Sequence, residues 1–157
     1  MNERERRAKT FDEVAELYDR ARPSYPEELF DDLFALGGLH CGSTVLEIGC
    51  GTGKASFALA RRGCLLTCIE TGAHLAAVAR RNLAGFPDAR VVIGAFETFA
   101  PERIPFDALF AAASWHWLDP KTRYPRADRF LKPRGVLAIV TLAHAFPEDF
   151  DPIFTEI

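Results

Sequence analysis

The sequence predicts an α/β protein: a doubly wound, mostly parallel sheet with helices on both faces, in three αβα layers. Three observations carry this. Five short runs read as nearly continuous apolar stretches instead of alternating with polar residues, which marks strands covered on both faces. Segments with helical spacing separate most of them. The first run ends in a glycine cluster, Gly49, Gly51 and Gly53, where such sheets bind ligands.

Ahead of the sheet, Phe11 to Leu36 reads as two helices broken by RPSYPEEL, with Ser24 and Pro26 at the start of the second. Thr44 to Ile48 (TVLEI) is the first strand, ended by glycines. Lys54 to Arg62 has helical spacing and stops at Gly63. Leu65 to Glu70 (LLTCIE) is the second strand. Ala73 to Leu83 is an alanine-rich amphipathic helix, stopped by Gly85 and Pro87. Arg90 to Gly94 and Phe106 to Ala112 are the third and fourth strands. Pro120 to Leu131 is helical, ended by Lys132, Pro133 and Gly135. Gly135 to Thr141 (GVLAIVT) is the fifth strand. Parallel strands need right-handed crossovers, so helices fall on both faces.

The 157 residues form one domain, with a helical cap over 1–36 and a sheet core over 43–157. At 48% hydrophobic the chain can build a real core, and its net charge of −3 gives no global field toward nucleic acid or acidic lipid. The short basic run Asn2 to Lys9 reads as a solvated helix or tail. No apolar run approaches the roughly 18 residues of a membrane helix. The N-terminus is too charged for a secretory signal. Cys41, Cys50, Cys64 and Cys68 show no metal-ligand spacing and read as reduced thiols of a cytoplasmic protein, with no metal site expected.

The turn LEIGCGTGKAS invites two phosphate-binding readings, and both fail. A P-loop needs G-x-x-x-x-G-K-[ST]; its first glycine falls on Ile48 and its magnesium-binding hydroxyl on Ala55. The dinucleotide fingerprint G-x-G-x-x-G finds Gly49 and Gly51, but its third glycine falls on Lys54. The spacing present is E-x-G-x-G-x-G, from Glu47 through Gly53.

VLEIGCGTG resembles the first motif of the class I S-adenosylmethionine-dependent methyltransferases, of the small-molecule, type 11-like kind. The resemblance runs over about residues 11 to 155 and implies a Rossmann-like fold with S-adenosylmethionine as cofactor and S-adenosylhomocysteine as product. It implies that Glu47 faces the methionine end and that Gly49, Cys50, Gly51 and Gly53 line the cofactor. Glu70, with Thr71 beside it, would accept hydrogen bonds from the ribose hydroxyls. GAFETFAPERIPFDALFAAASWHWLDP is similar to the third-to-fourth strand region. There Phe96 and Glu97 would flank the adenine, and Ala113 and Trp115 would line the site. RFLKPRGVLAIV resembles the LKPGG motif, with Gly135 expected in the left-handed position. FDEVAELYDRARPSYPEELFDDL resembles the N-terminal cap, so Tyr18, Arg22 and Tyr25 would fold over the pocket, Arg22 pairing with the cofactor carboxylate.

The expected function is therefore methyl transfer to a small-molecule acceptor, the acceptor being unreadable from the sequence. A cofactor-binding module without turnover is the alternative. His116, between Trp115 and Trp117 after the fourth strand, is the candidate general base; His40, His74 and His144 read as surface or loop residues. The family sheet has seven strands, and Leu142 to Ile157 are too few to complete it. A C-terminally truncated domain is expected, its fifth strand an exposed edge or covered by another chain in a homo-oligomer.

Overall fold

The computed structural model describes residues 10, 12–102 and 104–141. Their elements are α1 (Ala15–Ala21), α2 (Glu27–Gly37), β1 (Thr44–Ile48), α3 (Lys54–Arg61), β2 (Leu65–Glu70), α4 (Ala73–Asn82) and β3 (Ala89–Ile93). There follow β4 (Phe106–Ala112), a 3₁₀ turn (Trp115–Trp117), α5 (Arg123–Phe130) and β5 (Leu131–Val140). The strands form one five-stranded sheet in the order β3-β2-β1-β4-β5, every pair parallel. This is the Rossmann-like αβα arrangement that the unalternating apolar runs require. Strand order reverses at β1, so the sheet splays open beyond the carboxyl ends of β1 and β4.

Alternation along β1 divides the core. Val45 faces one helical layer with Phe30, Leu59, Cys68 and Phe110. Leu46 and Ile48 face the other with Ile69, Leu109, Phe96 and Phe130. Each such side chain withdrawn from water contributes about 1.5–3 kcal/mol. Glu47, on the Val45 side, is a carboxylic acid among these apolar groups, 2% exposed.

Several details differ from the sequence reading. The helix expected from Pro120 begins at Arg123, because Asp119 first holds a turn. Its carboxylate accepts from the Lys121 N–H and the Thr122 hydroxyl, and its carbonyl from the Thr122 and Arg123 N–H groups. The fifth strand starts at Leu131, paired with Phe106. An irregularity follows before Val136 pairs with Ala108. Within it the left-handed residue is Arg134 (φ 70°), not Gly135. Gly135 is instead required by space: a Cβ there would lie 2.9 Å from the Lys132 carbonyl oxygen. Ser24 does not cap α2. Pro26 stands at that position without a side-chain bond, and Glu27 and Glu28 complement the helix dipole instead.

At the amino ends of the strands, Asp107 ties three of them together. One oxygen accepts from the Thr44 N–H and hydroxyl, both at 2.8 Å, and the other from Lys132 Nζ at 2.8 Å. Among the described residues β5 is a sheet edge. The basic N-terminal run and the segment expected to fall short of two further strands lie outside the described residues. No helix among the described residues is long and apolar enough to cross a membrane.

Candidate functional site

The site is built where β1 ends. The N–H groups of Gly49 and Cys50 both donate to the Ile69 carbonyl (2.8 and 3.1 Å), bending the chain over the end of β2. Gly49, Gly51 and Gly53 have φ of 68°, 57° and 86°, but for different reasons. At Gly49 a Cβ would come within 2.6 Å of the Ser114 Cβ, so the residue after β4 dictates this glycine. Ser114 holds that position by donating its hydroxyl to the Ile48 carbonyl. Ala113, itself at φ 54°, aims Ser114 there while its N–H pairs with Val140. Gly53 caps α3. At Gly51 a Cβ would meet nothing within 4 Å, so its bare backbone faces open space. That is a surface for close approach by a ligand.

Glu70 lies under this turn, 8% exposed. Its Oε2 accepts from the Gly51 N–H at 2.8 Å, and its Oε1 from the Gly72 N–H at 2.9 Å and the Thr71 hydroxyl at 3.3 Å. A carboxylate offers about four acceptor directions. A vicinal diol would use the free one and displace the long Thr71 contact.

The cleft floor carries Glu47, Gly49, Cys50 and Gly51; Tyr18, Arg22 and Tyr25 form its outer wall. The Arg22 guanidinium stands 5.8 Å over the Tyr18 ring. Burial raises the Tyr25 phenol, against the lowering effect of Arg22. Burial also pushes the Glu47 carboxyl up to about 8, against the neighbouring Ser56 and Cys68 side chains. The Cys68 thiol donates to Glu47 Oε2 at 3.8 Å. Contact with Cys68 and burial both raise the Cys50 thiol.

The cap is held down by polar ties that the sequence did not announce. Asp12 Oδ1 accepts from the N–H groups of His74 and Leu75 (2.8 and 2.9 Å), capping α4 from outside its own segment. Arg81 grips Glu16 with two bonds, while Asp19 meets Asn82 at 3.3 Å and Lys54 at 3.5 Å. Asn82 also donates to the Thr52 carbonyl at 2.9 Å, locking the turn to α4.

Other expected site residues stand elsewhere. Phe96 is 2% exposed and packs against Trp115 and Phe130 in the core. Glu97 accepts from the Asp119 N–H at 3.0 Å, bracing two loops. Trp115 is 5% exposed beneath Arg123 and Tyr124. His116 is exposed, its ring 4.7 Å from that of Trp117. None of the four lines the cleft. The larger hollow, about 370 Å³, opens at the opposite end of the strands beside Leu65, Pro87 and Pro105 and is lined by none of the expected site residues. No group of His, Cys, Asp or Glu among the described residues is arranged to hold a metal.

Fold and site together define a Rossmann-like domain with a glycine turn on β1 and a buried acid closing β2. The chain belongs to the methyltransferase-domain family, which matches residues 45–135. An uncharacterized methyltransferase of Mycobacterium tuberculosis is 32% identical over 131 residues, 83% of this chain and 51% of that protein. A trans-aconitate 2-methyltransferase of Azoarcus is 33% identical over 111 residues, 69% and 42% of the two chains. The solved CcbJ methyltransferase of Streptomyces caelestis superimposes with a TM-score of 0.64 at 24% identity, covering 80% of this chain and 54% of that one. The chain thus spans about half the length of the curated relatives it matches.

Proposed function

We propose that the cleft holds S-adenosylmethionine and that the protein transfers its methyl group to a small-molecule acceptor. The observation that carries this is the Glu70 carboxylate, fixed by the Gly51 and Gly72 N–H groups where a ribose diol can reach it. The open backbone of Gly51 accommodates the body of such a ligand, which no side chain there would allow. In this reading the amino-acid end points toward Glu47 and Arg22, both on the cleft surface.

Bound there, the cofactor supplies a methyl group already activated on a sulfonium. The residues then need only orient it and keep water out, a contribution of roughly 7–11 kcal/mol when geometry is well fixed. Tyr18, Arg22 and Tyr25 cover the cleft, and the ties from Asp12, Glu16 and Asp19 hold that cover in place. His116, outside the cleft, is given no part. The four free thiols support a cytoplasmic setting.

Isothermal calorimetry and thermal melts test the reading. S-adenosylmethionine and S-adenosylhomocysteine should bind and raise the melting temperature, by about 2.7 kcal/mol of stability at a hundredfold excess over Kd. NAD should do neither. A melt raised by NAD alone refutes it.

A further inference from the structure

The last pair in the ladder between β1 and β4 is Glu47 with Phe110, while β1 stays paired with β2 as far as Ile48 and Ile69. The strands part there, at the reversal of strand order where ligands enter such sheets. The Ser114 side chain crosses the gap. It is 8% exposed just past β4 and donates its hydroxyl to the Ile48 carbonyl. Its Cβ is what a side chain at Gly49 would strike at 2.6 Å, and its carbonyl accepts the Trp117 N–H at 3.0 Å. Ala113 before it is held at φ 54°, a left-handed conformation that a Cβ resists, with its N–H on the Val140 carbonyl at 2.8 Å. Such strain persists only where the surroundings over-determine it, and it clusters at ligand sites. Gly49 and Ala112, on the two sides of the gap, both line the cleft; Ser114 does not.

Resting on the cofactor reading above, we infer that Ser114 is a positioning residue: without touching the ligand, it fixes the width of the crevice between β1 and β4 that receives the amino-acid end. Its hydroxyl and its Cβ act in opposite directions. The hydroxyl draws the end of β1 toward β4, and the Cβ stops the Gly49 backbone from closing further. The spacing is thus set from both sides. Glu70 holds the same turn from β2, through the Gly51 N–H, and serves the ribose. Without the Ser114 hydroxyl the Ile48 carbonyl loses its donor from the β4 side, and the end of β1 is freed to drift from β4. The bonds from β2 to Gly49, Cys50 and Gly51 stay. A ligand that reaches only the ribose side does not register the change. A ligand that extends into the crevice does.

Calorimetry on the full chain tests this with two probes, S-adenosylhomocysteine and 5′-methylthioadenosine, the same nucleoside thioether without the amino-acid end. Ser114→Ala should weaken S-adenosylhomocysteine by about threefold to tenfold, the scale for one lost hydrogen bond, and leave 5′-methylthioadenosine within about twofold of wild type. Ser114→Thr keeps the hydroxyl and should restore the wild-type ratio of the two affinities. An unchanged affinity for S-adenosylhomocysteine in Ser114→Ala overturns the inference. So does an equal loss for both probes, which marks general loosening, or a Ser114→Thr ratio equal to that of Ser114→Ala. Amide exchange on the wild type decides the matter where a variant does not fold. S-adenosylhomocysteine should protect the Gly49 and Ala113 N–H groups together, and 5′-methylthioadenosine should leave Ala113 unprotected. Protection of Gly49 alone, or equal protection of Ala113 by both probes, overturns the inference and leaves the cofactor reading standing. No binding of S-adenosylhomocysteine to the wild type overturns both.

Discussion

Glu70 Oε2 accepts the backbone N–H of Gly51 at 2.8 Å, tying the end of β2 to the middle of the glycine turn. The acid proposed to grip the ligand is thus also what shapes the turn that receives it. Removing it leaves the N–H groups of Gly51 and Gly72 without their acceptor in a nearly dry place, where each lost partner costs about 1–3 kcal/mol.

Glu70→Ala is therefore expected to destabilise the ligand-free protein by about 2–3 kcal/mol and to weaken S-adenosylhomocysteine binding by more than tenfold. Urea unfolding without ligand separates the two roles. An unchanged midpoint would mean that Glu70 serves the ligand alone.

The glycines of the turn should fail in different ways. Gly49→Ala drives a Cβ to within 2.6 Å of Ser114 and also strains a φ of 68°, so the fold should lose more than about 2 kcal/mol. Gly51→Ala strains φ at 57° but meets no atom, costing about 1–2 kcal/mol. Its methyl group would occupy the space proposed for the ligand. Thermal melts paired with calorimetry should show Gly49→Ala as mainly a stability defect and Gly51→Ala as mainly a binding defect.

How much of this was legible follows from where the determinants lie along the chain. The five strands were readable because both faces of the sheet are covered, leaving nearly unbroken apolar runs such as TVLEI and LLTCIE. The spacing of the turn set Glu47 and Gly51 at the end of β1, and the run LLTCIE set Glu70 at the end of β2. Phe96 was placed at the adenine by resemblance. Its neighbours Phe130 and Trp115 claim it for the core, and a one-residue window cannot show a face. Ser114 dictates Gly49 from far along the chain, a contact invisible to any local pattern; its bond to Ile48 spans 66 residues. The cap's polar ties were equally hidden, since Asp12 reaches His74 across 62 residues.

Those ties make a prediction about the cap. α4 has no side-chain cap of its own, and Asp12 supplies two acceptor bonds to its first turn. Burial would raise the Asp12 carboxyl, but the Leu75 N–H and His74 outweigh it and hold it below the usual range. Asp12→Ala should cost about 0.5–2 kcal/mol, the ordinary scale for losing an N-cap. It should also speed release of S-adenosylhomocysteine, because Tyr18 and Arg22 sit on the segment it anchors. A stopped-flow off-rate equal to wild type would detach Asp12 from the cover.

Two carboxyls give the ligand-free protein opposite pH limbs. Burial alone would raise Asp107, yet Lys132 and the Thr44 donors prevail and hold it at about 2. A depressed folded pKa contributes stability that is complete above the unfolded value near 3.8 and disappears as pH falls through about 2. Asp107→Asn should therefore cost about 1–2 kcal/mol at neutral pH and nothing near pH 2. Glu47 runs the other way. Its folded pKa of about 8 lies above the unfolded value near 4.5, so the native state keeps a proton that the unfolded chain gives up. Stability from that source is complete below about 4.5 and falls as pH rises toward about 8, where the slope ends. Urea midpoints measured from pH 3 to 9 should decline across the neutral range in wild type and flatten there in Glu47→Gln. A neutral-range slope that persists in the variant would assign it to another group, leaving Glu47 ionised in the folded protein and its carboxylate compensated by a neighbour.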